Sequence, residues 1–308
     1  MQTPIPDEIR RRPFTIAEAR SLGITPKALR GVRFQHLFPR VYACRELELD
    51  PVTLTRAALL CVGDHAAASH ESGLAVWDVH IGTRDSVQLS TRGRSPTRIK
   101  GITMHRDYRL GTVETSADCR VLGPERCLVD TSTRRSIPVL VTAGDWLIRN
   151  GHMTSDSFFT FVTESHFDGV VLARRVAELL DSKAESPRES LVRTIIELAG
   201  LPRPQCNRSY GDELEIFARP DMSYAQWKVA VEYDGRQHGL SLAQRMHDIW
   251  RREQMERLGW VFIVVAAADL RRPREIVNRV HHALRSHGYD GPRPQFPNEW
   301  TRSFEYAA

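Results

Sequence analysis

The stretch from Trp227 to Asp234 constrains this chain most. Trp227, Val229, Val231 and Tyr233 alternate with Lys228, Ala230, Glu232 and Asp234, which predicts a strand with one apolar and one charged side. Pro220-Asp221 lies just upstream and Gly235-Arg236-Gln237-His238 just downstream. A two-residue turn at Ala225-Gln226 would set Asp221 opposite Ala230, on the face of Lys228 and Glu232 and diagonal to both. Like charges gathered on a strand repel unless something compensates them. A solvated polar face is the plain reading, and a divalent cation held by carboxylate oxygens is the sharper one. Val229-Ala230-Val231 is apolar enough for a central strand, and such strands seldom end in Glu-x-Asp-Gly without a reason.

Pro220-Asp221, Glu232-x-Asp234-Gly235 and His238 resemble the PD-(D/E)XK nuclease superfamily, in the branch related to very-short-patch-repair endonucleases. Asp248, Arg252, Leu258-Gly259-Trp260 and the apolar run Val261-Phe262-Ile263-Val264-Val265 fit the same pattern. The resemblance covers residues 185 to 288. The alternation of periods along the same stretch predicts a helix, an antiparallel three-strand meander, a crossing helix, a further strand and one more helix after Pro273. The resemblance implies Mg²⁺, with Mn²⁺ able to substitute, held by Asp221, Glu232 and the Tyr233 carbonyl. The chain departs from the superfamily at Asp234, which stands where a lysine is usual. In the repair-endonuclease branch histidines serve instead, so His238 or Asp234 is the candidate for proton transfer or for orienting the attacking or departing oxygen.

Lys228 is a second source of positive charge, with a solvated strand-end lysine as its plain reading. Ser186-Pro187-Arg188-Glu189 predicts a helix start with a serine cap, proline in the first turn and glutamate at the third position. Glu189 is therefore a capping glutamate by local rules and a third acidic site residue by resemblance. Leu191, Val192, Ile195, Ile196 and Leu198 give that helix an apolar face. Arg252 is placed to reach a phosphate or to pair with Asp248 at i, i+4.

The N-terminal 50 residues show a different pattern. Thr15-Ile16-Ala17-Glu18 predicts a capped helix ended by Gly23, Thr25-Pro26 starts a second short helix through Leu29, and 34–42 reads as one or two strands. This outline of a winged helix-turn-helix resembles the N-terminal domain of AbiEi-type antitoxins, notably in Leu37-Phe38-Pro39-Arg40-Val41-Tyr42. Glycine is common there where Arg40 stands here. The resemblance implies that Lys27 and Arg30 face DNA and that Arg33 and Arg40 touch phosphate. A small interaction domain with solvated arginines is the alternative.

The fold class expected is mixed α+β and α/β in several domains: a winged helix-turn-helix over 1–50, an antitoxin-like α/β region over 51–182, a restriction-endonuclease-like domain over 183–288 and an irregular or docked tail over 289–308. In the middle region helices are expected at 52–60 and from Ala66 to Trp77, with strands at 86–90 and 102–105. Ser69-His70 would point to different helix faces, and no Gly-x-Ser-x-Gly turn supports a serine hydrolase.

A net charge of +5 over 308 residues is compatible with nucleic acid. Five scattered cysteines without a Cys-x-x-Cys pair suggest neither a zinc site nor a disulfide framework, and no apolar span or leader is evident, so a cytoplasmic protein is expected. These features together predict a Mg²⁺-dependent DNA endonuclease with an N-terminal DNA-binding module. DNA is the expected partner, a membrane is not, and a homodimer is left open. The alternative is a non-catalytic, antitoxin-like regulator whose nuclease-like domain is only a scaffold.

Overall fold

Short side-chain caps define the N-terminal elements. After α1 (Asp7–Arg10) and β1 (Phe14–Thr15) come α2 (Ile16–Ser21) and α3 (Pro26–Leu29). Thr15 Oγ1 accepts from Glu18 N–H and Thr25 Oγ1 from Ala28 N–H, both at 3.2 Å, so each cap satisfies a donor that a helix start leaves unpaired. The strands β2 (Phe34–Phe38) and β3 (Val41–Cys44) then form a hairpin, and β1 adds to its β3 edge. Ile9, Phe14, Ala19, Ile24, Leu29, Phe34 and Cys44 form the core beneath. Arg40 in the hairpin turn has φ 65°, a left-handed backbone that favours glycine. The turn thus keeps the backbone of a glycine while presenting an arginine.

The computed structural model describes residues 5–82, 86–93, 98–211, 216–235 and 242–305. It is a mixed α/β structure with several sheets, and it divides into two units: 1–133 with 164–173, and 134–163 with 174–308. The first unit continues through α4 (Pro51–Val62), β4 (Ala66–Ala68), α5 (His70–Val76), β5 (Val87–Thr91), β6 (Ile102–Arg106), β7 (Val113–Ser116), β8 (Cys119–Leu122) and α6 (Pro124–Ser132). Its five strands run in the order β6-β5-β4-β8-β7. The strands expected near 86–90 and 102–105 are β5 and β6, paired in parallel.

The alanine run behaves differently from its helix propensity. Ala66–Ala68 is a central strand, wholly buried between β5 and β8 and against α4 and α5. Helix α5 begins only at His70. Because Ser69 is extended (ψ 176°) and His70 is left-handed (φ 52°), their side chains converge instead of diverging: Ser69 Oγ lies 3.0 Å from His70 Nδ1. Ser90 Oγ donates to Ser69 Oγ at 2.8 Å, and His70 stacks on His105 with centroids 3.9 Å apart. Ser69 is fully buried, so this is an internal polar network and not an accessible nucleophile.

Asp130 on α6 belongs to the same buried region and pairs with Arg126 at 2.7 Å. Burial pushes its carboxyl up to about 6, against the pull of Arg126. A carboxyl whose folded pKa exceeds its unfolded value of about 3.9 binds more protons when folded, so its contribution to stability declines as pH rises from about 4 to about 6. Asp130→Asn should therefore gain stability relative to wild type across that window, by up to about 3 kcal/mol at about 1.36 kcal/mol per unit. Urea unfolding at several pH values checks this, and a difference independent of pH contradicts it.

In the remainder of the chain come α7 (Ile137–Arg149), α8 (Ser155–Glu164), α9 (Val170–Leu179), α10 (Pro187–Leu198), β9 (Gln205–Cys206), β10 (Tyr210–Gly211), β11 (Ile216–Ala218), β12 (Met222–Tyr224), β13 (Val229–Asp234), α11 (Leu242–Arg257), β14 (Val261–Ala266), α12 (Pro273–Ser286) and α13 (Asn298–Phe304). The main sheet has the order β14-β13-β12-β9, antiparallel except for β13 and β14, which are parallel and joined through α11. The order of helix, meander, crossing helix, strand and helix matches the expectation for this stretch, with the β10–β11 hairpin inserted.

The turn between β12 and β13 is longer than two residues. Ala225–Trp227 form a 3₁₀ turn and Lys228 follows at φ 50°, so β13 starts only at Val229. Met222 pairs with Val231, Ser223 with Ala230 and Tyr224 with Val229. Extended by one position, this register sets Asp221 opposite Glu232, not opposite Ala230. The shift is two residues, so Asp221 and Glu232 still share a face. Val229, Ala230 and Val231 are all fully buried: Ala230 packs with Met255 of α11 and with Trp260, while α10 and α12 also contact β13.

Helix α10 is buried on nearly every side, and at its centre lies an arginine. Arg193 is 0% and Asp145 of α7 is 1% exposed, and they pair at 2.7 Å. Asp145 also accepts from Ser190 Oγ at 2.6 Å and from Asp181 N–H at 2.7 Å. Arg193 further bonds Glu197 Oε1 at 2.8 Å and the Leu179 carbonyl. Burial alone would lower the Arg193 pKa, but Asp145 and Glu197 carry it upward, so the guanidinium stays charged. This brings α7 into the same unit as α10, across the boundary expected at 182/183. The C-terminal segment, read as an irregular or docked extension, is docked over its described residues: Gln295 N–H donates to the Ala199 carbonyl at 2.8 Å, and the fully buried Trp300 of α13 donates to the Ile195 carbonyl at 2.9 Å.

No described helix is long and apolar enough to cross a membrane, and all five cysteines are free thiols. Asp145→Ala should destabilise the protein by about 3–5 kcal/mol, since it strands a buried guanidinium. The double change Asp145→Leu with Arg193→Leu should cost less than Asp145→Ala alone. Chemical denaturation of both variants checks this, and a double variant worse than the single one contradicts it.

Candidate functional site

The end of β12 and the late part of β13 bring the acidic residues together. Strand β12 begins at Met222, so the Tyr233 N–H on β13 has no further backbone partner there. The Asp221 side chain takes that place, its Oδ2 accepting from Tyr233 N–H at 2.7 Å. Asp221 is thereby fixed beside Glu232 by a bond to the next residue of the same strand.

Glu232 faces α11. Its Oε1 is 3.3 Å from Arg251 Nη2 and its Oε2 is 3.0 Å from Arg252 Nη2. The Arg252 guanidinium also lies over the Phe262 ring at 5.3 Å. The partner of Arg252 is thus a carboxylate of the site; the Asp248 side chain, the other partner considered, lies outside the described residues, as does His238. Arg251 escaped the sequence reading because its neighbour Arg252 carried the motif match.

Glu189 reaches the site through an intermediary. Its backbone N–H donates to Ser186 Oγ at 3.1 Å, as the capping pattern requires, and its Oε2 accepts from Glu185 N–H at 2.9 Å. The same oxygen accepts from Asn207 Nδ2 at 2.8 Å. Asn207 also donates its backbone N–H to the Asp221 carbonyl at 2.9 Å and its Nδ2 to the Lys183 carbonyl at 2.8 Å. Asn207 therefore ties the start of α10 to the Pro-Asp segment. It sits at φ 47°, and an asparagine is among the few side-chain residues that tolerate this backbone. Nothing in its spacing marked it, although Asn-Arg after a short strand is itself a turn signal. Arg219 adds to the same corner, pairing with Glu185 and donating Nε to the Asn207 carbonyl at 3.2 Å.

The other candidates fall elsewhere. Lys228 is not on the charged face of β13: it occupies the turn, and its ammonium caps the Leu258 carbonyl at 2.8 Å, at the end of β13 remote from Glu232. Asp234 is exposed at the end of β13. The Tyr233 carbonyl accepts from Gly235 N–H at 3.1 Å. In the N-terminal module Lys27 and Arg30 are exposed on and just after α3, Arg33 packs over the Phe34 ring at 5.7 Å, and Arg40 is exposed in the hairpin turn.

The donor set is all oxygen, which suits a hard cation such as Mg²⁺. Among the described residues no group of three or more His, Cys, Asp or Glu is disposed as a metal cage. Mg²⁺ commonly needs only one or two carboxylates, completing its shell with waters and substrate phosphate, and Asp221 and Glu232 are the carboxylates that could serve.

No protein-family model matches the chain. The uncharacterized proteins MT2308 and Rv2248, from two strains of Mycobacterium tuberculosis, are each 25% identical to it over 252 residues, which is 79% of this chain and 90% of theirs.

The role of Asn207 in holding this corner is testable by stability. Asn207→Gly keeps the left-handed backbone and should lose about 1–3 kcal/mol from the bond to a charged group. Asn207→Ala should lose about 1–2 kcal/mol more, because alanine resists that φ. Thermal and urea unfolding rank the two; alanine equal to or better than glycine contradicts the assignment.

Proposed function

We propose that the chain is a metal-dependent DNA endonuclease in which residues 183–288 cut a phosphodiester bond and the N-terminal module binds DNA. The observation that supports this most is the bond from Tyr233 N–H to Asp221 Oδ2, which holds the Asp221 carboxylate next to the residue after Glu232, at the end of a buried central strand. The order of α10, the β9-β12-β13 meander, the α11 crossover and the parallel β14 accords with the PD-(D/E)XK resemblance.

Asp221 and Glu232 would hold Mg²⁺, which when bound supplies charge neutralisation at the scissile phosphate and a more acidic water. Tyr233 N–H orients the Asp221 carboxylate, and Asn207 keeps Glu189 and the Pro220-Asp221 backbone in one frame. In hydrolysis a water oxygen bonds to phosphorus, the bond from phosphorus to the leaving oxygen breaks, and one proton moves from the water side to the leaving side. Asp234 and His238 are the residues proposed to receive and return that proton. Lys27 and Arg30 on the exposed side of the N-terminal module, with Arg33 and Arg40 from its hairpin, would meet DNA phosphates.

A second reading keeps the DNA-binding module and makes the C-terminal region a scaffold. Its specific support is Asp234 in the usual lysine position, together with a Glu232 already neutralised by two arginines.

Asp221→Asn should abolish Mg²⁺-dependent nicking of supercoiled plasmid while leaving gel-shift affinity nearly intact. Replacing Lys27 and Arg30 by alanine should do the reverse, weakening binding and reducing its salt dependence by about one unit of slope per lost phosphate contact. Wild-type protein that cuts no duplex, single-stranded or branched nucleic acid with Mg²⁺ or Mn²⁺ would transfer the assignment to the regulator.

A further inference from the structure

We propose that Arg251 and Arg252 form a latch on Glu232 that nucleic-acid phosphate releases, so that metal binding and nucleic-acid binding favour one another. The inference rests on the metal-dependent reading above and adds how that site is regulated.

Successive residues on a helix project about 100° apart. Arg251 and Arg252 nonetheless converge on one carboxylate, each taking a different oxygen, at 3.3 and 3.0 Å. Glu232 must therefore lie beneath α11 between them. Its side chain is 16% exposed, whereas those of Arg251 and Arg252 are 27% and 41% exposed, so the arginines reach solvent more freely than the glutamate does.

A guanidinium and a divalent cation compete for the same carboxylate lone pairs. Adding a dication to the latched state would also bring three cationic groups against one carboxylate. The arginines must therefore leave Glu232 for the metal to gain it. A phosphate oxygen is the partner that can take them without loss, because arginine binds phosphate and carboxylate with the same planar fork. By linkage, whatever draws the arginines away tightens the metal, and a bound metal frees the arginines for phosphate by the same factor. A purely structural ion pair would instead change stability and leave metal affinity unmoved.

The test uses the full chain and Mn²⁺ alone, with free Mn²⁺ read by electron paramagnetic resonance and no nucleic acid present. The double variant Arg251→Gln with Arg252→Gln should bind Mn²⁺ roughly 3- to 30-fold more tightly than wild type, the range expected for breaking two partly exposed ion pairs. Arg257→Gln, which removes a charge from the same helix but pairs with Glu253, should stay within about twofold of wild type. In a second measurement, fluorescence anisotropy with a mixed-sequence DNA duplex in EDTA, Glu232→Gln should bind more tightly than wild type and Glu253→Gln should not.

Equal Mn²⁺ affinity in wild type and the double variant overturns the latch, and so does an equal gain in Arg257→Gln, which would show only a general field effect. Unchanged duplex affinity in Glu232→Gln also overturns it. If wild type takes up Mn²⁺ and cuts DNA while the double variant gains nothing, the latch alone fails. If none of the proteins takes up Mn²⁺, the latch falls together with the metal-dependent reading.

Discussion

The buried pair of Asp145 and Arg193 is the interaction on which the second unit turns. Two charges removed from water are tolerable only when most of their lone pairs and protons find partners, and in this pair Arg193 Nε is the buried atom left without a hydrogen bond. Here Asp145 takes Arg193, Ser190 and the Asp181 backbone, while Arg193 takes Asp145, Glu197 and the Leu179 carbonyl. The arrangement joins α7, the end of α9 and α10 at one point. Helix α10 carries Glu189 at its start and receives Trp300 at its far end, so the position of the acidic site and the docking of the C-terminal helix share one anchor.

The strand pattern from Val229 to Asp234 was legible because alternation needs no knowledge of the partner strand. The register was not, because it depends on the length of the turn, and Lys228 adopts a left-handed backbone that its side chain does not advertise. The difference is an even number of residues, so the face assigned to Asp221 does not depend on which turn length is used. The run Ala66–Ala68 misled for the opposite reason: alanine favours helices, but a strand squeezed between two helices and two strands selects for small side chains above propensity.

Long-range polar partners were the least legible. Arg193 reads as a polar interruption of an apolar helix face until Asp145, 48 positions away, is seen to neutralise it. Asn207 reads as a turn residue until both Glu189 and Asp221 are found bonded to it. In each case local sequence gave the element, whereas the meaning of the polar side chain resided in an element far along the chain.

The parallel pairing of β13 with β14 has a consequence for the order in which the protein assembles. An antiparallel neighbour such as β12 can zip onto β13 from an adjacent turn, but every partner of β13 in β14 lies beyond α11. Such non-local contacts form late, because the chain entropy of closing the crossover must be spent before the pairing rewards it. The β12–β13 hairpin carrying Glu232 can therefore pair before α11 settles over it. Until α11 docks, Glu232 lacks Arg251 and Arg252, so the chain gains this carboxylate first and the charges that neutralise it afterwards.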